Sequence, residues 1–300
     1  MPETDAQTGL NKNLLILHFT VFIWGFTSIL GELISIAAVQ LVWYRVVIAT
    51  VSLFLYFKFN KTSFKISREN ILQLLATGGL VGAHWIMFFA SIKLATVSVT
   101  LVCLSSMTLF TAIFEPLINK KRISKLEIIA GVFIIIGILM IFKFESHYTK
   151  GIILGLLSAM FASLFSIINS RKVKTINAPV IALYELSGAF IWISLYLLIT
   201  QGFGKSMILK NTDIGYLLIL GTICTSLAYV AGVSVMREFS AFKVALITNL
   251  EPVYGIILAF IFFGDMRKLT PGFWAGAVVI LSTIFLFPLA QKQVARRKSR

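Results

Sequence analysis

The sequence predicts an all-α integral membrane protein: ten transmembrane helices in two inverted five-helix repeats, with both termini cytoplasmic. Three observations lead there. Ten apolar stretches of about twenty residues fill positions 13–290, the basic residues of the connecting loops gather on alternate sides, and the two halves of the chain echo each other. A helix of that length rises far enough, at 1.5 Å per residue, to cross a hydrocarbon core of roughly 30 Å. With 58% hydrophobic and 13% charged residues and a mean hydropathy of +0.92, a soluble fold could not bury the apolar surface.

Each span is bounded by its charges. The first, 13–31, follows Lys12. The second, 38–59, runs into Lys58, Lys61, Lys65 and Arg68, and the third, 70–92, stops at Lys93. Span 95–118 precedes Lys120, Lys121, Arg122 and Lys125, and span 124–142, which Ser124 can cap, ends at Lys143. In the second half, 151–169 lies between Lys150 and the group Arg171, Lys172 and Lys174, and 178–200 precedes Lys205 and Lys210. Span 213–235 ends before Arg237, and 242–263 contains Lys243 at its start. The last, 269–290, follows Arg267 and Lys268, contains a capping Thr270, and leads to a basic tail. The predicted units are 13–142 and 151–290, flanked by cytoplasmic tails 1–12 and 291–300.

Nineteen basic residues fall on one side of this arrangement and seven on the other, which places both termini in the cytoplasm. The net charge of +15 is dispersed over segments facing anionic lipid, so no nucleic-acid partner is expected. Cys103 and Cys224 sit inside predicted helices without metal-ligand spacing and read as small buried side chains. The start of the chain lacks a basic n-region and the first apolar run lacks a small-residue cleavage site, so that run is expected to remain as a membrane helix.

The halves divide near 143–150. Tyr44-Arg45 in the second span corresponds to Tyr184-Glu185 in the seventh, and Ser105 to Phe110 in the fourth corresponds to Glu251 to Ile256 in the ninth. Five crossings per copy thread the second copy upside down, an architecture in which a central site opens alternately to each side. Trp24-Gly25, Tyr44-Arg45, the Glu251-Pro252-Val253 break with Phe263-Gly264-Asp265 after it, and Gly276 in the tenth span together resemble the EamA-type proteins of the drug/metabolite transporter superfamily. The resemblance covers residues 13–290. It implies two EamA repeats and export of small metabolites, such as amino acids, by alternating access without ATP hydrolysis. The chain departs from the family pattern in having Ser106 where the second repeat has Pro252, Glu32 where many relatives have Lys, and Asp265 where Glu is common.

An ionisable side chain at membrane depth costs several kcal/mol unless paired or hydrated, so each is a candidate for function. Arg45 and Glu185 lie about 10 Å from opposite boundaries, the first suited to an anionic substrate group or gate, the second to a substrate amine or a proton. Glu251 sits between Asn249 and Pro252 midway along the ninth span. The proline removes one N–H and crowds the Thr248 carbonyl, so it should kink the helix and expose polar backbone. His84 is a proton-relay candidate near the middle of the third span, while Gly78 and Gly82 on the same helix allow close approach of a neighbour. Arg45, His84, Glu185 and Glu251 are the substrate-binding or gating candidates, with Trp24 and Asn249 beside them. No HExxH or GxSxG occurs, and Gly204-Lys205-Ser206 lacks its partner glycine, so neither an enzyme nor an ATP site is expected. No metal and no cofactor are called for. The reading is a secondary carrier of small organic solutes in the plasma membrane, a monomer or homodimer, with protons as a candidate coupling ion. The rival is a membrane-embedded enzyme or lipid-handling protein acting on a lipid headgroup.

Overall fold

The computed structural model describes residues 4–61, 63–120, 125–264 and 269–298. Lys121, Arg122, Ser124, Asp265, Arg267 and Lys268 lie outside them. Every long element among the described residues is helical. The first half comprises α1 (Thr4–Leu33), α2 (Ala38–Asn60), α3 (Arg68–Leu94), α4 (Val97–Leu104), α5 (Met107–Ile118) and α6 (Lys125–Phe144). The second comprises α7 (Thr149–Lys172), α8 (Ala178–Ile199), α9 (Asn211–Gly221), a π-helical turn (Thr222–Leu227), α10 (Ala228–Val235), α11 (Ala241–Thr248), α12 (Leu250–Phe263) and α13 (Pro271–Lys298).

Among the described residues, eight segments are long and apolar enough to cross a membrane. Three of these are composite: α4 with α5, α9 with α10, and α11 with α12. Two shorter apolar stretches, Ile129–Ile141 and Pro271–Phe287, lie within α6 and α13 and correspond to the fifth and tenth sequence-predicted spans. Helix ends differ from hydropathy ends because different forces set them. Among the described residues α1 already runs at Thr4 and α13 still runs at Lys298, outside the apolar stretches Lys12–Leu33 and Pro271–Phe287, because a helix satisfies its backbone internally and can continue past the hydrocarbon.

The principal packing contacts join one half to the other. α3 lies against α7 and α8, α2 against α8 and α9, α1 against α10 and α12, α7 against α4 and α5, and α6 against α13. The pairing is reciprocal. A Cβ on Gly137 would stand 2.9 Å from the Gly276 carbonyl, and one on Gly276 would stand 2.8 Å from the Gly137 carbonyl. Gly78 of α3 is pressed onto the backbone of Glu185 to Ala189 in α8, while Gly221 of α9 faces the Arg45 carbonyl of α2, where a Cβ would be 3.2 Å away. These small residues let backbones approach without a hydrophobic driving force, which lipid does not supply.

The helix breaks also match. Thr96 Oγ1 accepts from Val99 N at 3.2 Å to start α4, and Ser240 Oγ accepts from Lys243 N at 3.2 Å to start α11. Each cap opens an eight-residue helix that stops at a polar residue, Ser105 or Asn249. Counting from the caps sets Ser105 opposite Asn249 and Met107 opposite Glu251, two residues from the register that composition alone suggested. The first break forms without proline. Ser106 Oγ donates to the Cys103 carbonyl at 2.6 Å, a local bond that competes with the helix ladder.

Several carboxylates hold helix ends. Asp213 accepts from Ser35 N (2.9 Å), Ser35 Oγ (2.7 Å) and Lys210 N (3.0 Å), while Lys93 Nζ donates to the carbonyls of Glu32 (3.1 Å) and Ile34 (2.7 Å). Glu145 receives Thr270 N at 2.8 Å and its hydroxyl at 2.7 Å, and Glu115 receives Phe242 N at 2.9 Å. The side chain of Thr270 in turn caps α13 by accepting from Phe273 N at 3.2 Å.

Candidate functional site

Between the halves lies a cavity with about 80 Å³ open to the centres of water-sized spheres, room for several waters. Its walls come from α1, α2, α3, α7, α10 and the two broken helices. Trp24, Arg45, His84 and Glu251 all line it. Four candidates separated by more than 200 positions in sequence thus share one space.

Arg45 is almost wholly buried, at 2% exposure. Its Nε donates to Thr225 Oγ1 at 2.6 Å, and its guanidinium carbon stands 4.0 Å from the Trp85 ring centroid, a cation–π contact. The π-helical turn makes the first bond available. Within it Thr225 and Ser226 hydroxyls donate five residues back, to Leu220 and Gly221, and the extra residue turns Thr225 toward α2. Arg45 Nη1 is buried with no partner. A guanidinium nitrogen on a cavity wall with no acceptor among the described residues suits an anionic group.

Glu251 is the second residue of α12 and is 6% exposed. Its carboxylate makes no hydrogen bond and no salt bridge with the described residues, and it lines the same cavity as Arg45. It lies in the first turn after the break, where free N–H groups favour a negative charge.

His84 is fixed by Ser158. The serine hydroxyl donates to the His84 carbonyl at 3.0 Å, and the ring Nδ1 stands 3.0 Å from the Ser158 carbonyl. Nδ1 also lies 2.8 Å from the Ser158 hydroxyl oxygen, and because the Ser158 carbonyl can only accept, Nδ1 is assigned as the donor of the ring. Trp24 reaches the cavity because Gly232 is small: a Cβ there would lie 2.8 Å from the indole edge.

The other two candidates stand outside the lining. Glu185 is fully buried behind Asn169 and Tyr229, which do line the cavity and which both bond its Oε2, at 3.0 and 2.7 Å. Asn249 directs its amide at Thr108 Oγ1 (2.6 Å) and at the Ala245 carbonyl (3.0 Å), joining the two broken helices at their breaks. Pro252 lies three residues beyond Asn249, where its missing N–H leaves the Thr248 carbonyl without its helical donor.

The EamA-like transporter family matches residues 11–143 and again 149–288. The chain belongs to that family. This EamA-like protein is 22% identical over 296 residues to an uncharacterized transporter of Archaeoglobus fulgidus, a match spanning 94% of this chain and 99% of the relative. A protein solved by crystallography shares its fold with a TM-score of 0.69, at 14% identity, over 93% of this chain and 98% of the other. The EamA-like chain is therefore a multi-pass membrane transporter.

Sequence reasoning missed Thr27, Ser166 and Asn169 among the lining residues of this EamA-like transporter. A signal for two of them was present. Ser158, Ser163, Ser166 and Asn169 recur at helical spacing along an otherwise apolar α7, and all four are buried.

Proposed function

We propose that the protein is a secondary carrier in the plasma membrane that exports zwitterionic small metabolites, amino acids or close analogues, by alternating access between two inverted five-helix halves with cytoplasmic termini. The observation that carries this reading is the pair of opposite charges, Arg45 and Glu251, facing one shared cavity from different halves without bonding each other. Each is costly to hold in a low-dielectric interior unless compensated. A ligand with a carboxylate for Arg45 and an ammonium for Glu251 compensates both at once, while Trp24, Trp85 and Phe165 accept its apolar part.

The reciprocal packing of α6 on α13, and of α3 on α8 with α9 on α2, supports a pseudo-two-fold relation between halves. Five crossings per half turn that axis into the membrane plane. The lining reaches Asn169, Met236 and Val244, near the ends of α7, α10 and α11 that the charge count assigns to the cytoplasm. At the opposite end Asp213 of the second half latches Ser35 of the first. Both features support an inward-facing state.

Counterflow in liposomes tests it. Preloaded neutral amino acids should accelerate exchange with no ATP present, and analogues lacking either the carboxylate or the amine should fail to compete. Flux that requires ATP, or equal competition by decarboxylated analogues, would refute the reading.

A further inference from the structure

The strongest unassigned feature lies one layer behind the cavity. Glu185 is 0% exposed within α8, and no cationic side chain among the described residues pairs with it. Oε2 accepts two hydrogen bonds, from Asn169 Nδ2 and Tyr229 Oη. Oε1 has no partner, and neither does Oδ1 of the same Asn169. Two buried acceptors on two bonded residues both lack a donor, an arrangement that is costly if it stays unfilled.

We infer that Glu185, Asn169 and Tyr229 form a proton-binding site, separate from the Arg45–Glu251 pair and in contact with the cavity through the two residues that line it. One added proton resolves both deficits. It converts Glu185 Oε1 into a donor, cancels the uncompensated charge, and supplies Asn169 Oδ1 with the acid–amide pairing that its Nδ2 has already half formed. Tyr229 Oη and the Asn169 amide stand between the carboxyl and the cavity that both residues line, so the proton has a route that does not cross apolar side chains.

Other ionisable groups on the packed elements are engaged elsewhere. Arg45 of α2 is held by Thr225 and Trp85, His84 of α3 is tied to Ser158, and Tyr229 of α10 is the one titratable neighbour that touches Glu185. A small monovalent cation is the competing occupant. It fits less well, because Oε2 is already bonded by two donors that a bound cation would repel.

Infrared difference spectroscopy on the full chain in liposomes, stepped from mildly acidic to alkaline pH, tests the site without knowledge of any substrate. A protonated-carboxyl stretch is expected that disappears on alkalinisation and shifts in D₂O. It should be absent in Glu185→Gln and present in Glu251→Gln. In Tyr229→Phe, which keeps the ring and the fold, the band should persist at a shifted frequency. A wild-type spectrum with no such band, a band unaffected by Glu185→Gln, or one that responds to sodium at constant pH overturns the inference. Because the readout is the carboxyl itself, the carrier reading can fail in the counterflow assay while this site stands, and the reverse also holds.

Discussion

At the residue scale, the site depends on charges without partners. Arg45→Gln removes one side of the proposed ligand clamp, and a charge-assisted hydrogen bond is worth about 1.5–3 kcal/mol, so half-saturation in counterflow should rise by about ten- to a hundredfold. Glu251→Gln should do the same for the amine end. Thr225→Val tests a positioning role: Arg45 Nε loses its 2.6 Å acceptor, so half-saturation should rise, with Thr225→Ser restoring it. If Thr225→Val lowers thermal stability but leaves half-saturation unchanged, the threonine is merely structural. Arg45, Glu185 and Glu251 were legible in the sequence because an ionisable residue in an apolar run stands out. Asn169 was not, since neutral polar residues are ordinary in such helices. Its bonds to residues 16 and 60 positions away exist only after folding.

Elements carry the second group of expectations. α3 and α8 touch backbone to backbone at Gly78, so Gly78→Val must push the helices apart. Overpacking of this kind costs about 1–3 kcal/mol, readable as a lowered unfolding temperature in detergent, whereas the same change at Gly204, which has nothing within 4 Å, should not lower it. The broken helices separate packing from function. Pro252→Ala returns a donor to the Thr248 carbonyl and should join α11 to α12, lowering counterflow without lowering the unfolding temperature. Asn249→Leu deletes the bonds to Thr108 and Ala245 and should lower both. The second break was foreseeable from proline, which is a local and obligatory disruption. The first was not, because serine back-bonding interrupts a helix only when the surrounding packing favours it.

For the whole molecule, the expectation concerns access. In a chain whose Cys103 and Cys224 are replaced by alanine, Met236→Cys should react with an impermeant maleimide from the cytoplasmic side. Loss of the latch in Asp213→Ala should reduce that labelling by shifting the population outward. Equal labelling in both backgrounds would exclude the latch. Fold class followed from the sequence itself, because lipid imposes one condition on every spanning segment: satisfy the backbone internally and face hydrocarbon with apolar side chains. Composition and the apolar runs along the chain are one-dimensional records of that condition. The cavity is not recorded in that way. Whether Glu251 shares a space with Arg45, and whether Glu185 stands in the wall or behind it, depends on how α2, α8, α10 and α12 rotate against their neighbours. That rotation is set by contacts such as Gly78 on α8 and Gly221 on α2, made between positions more than a hundred residues apart.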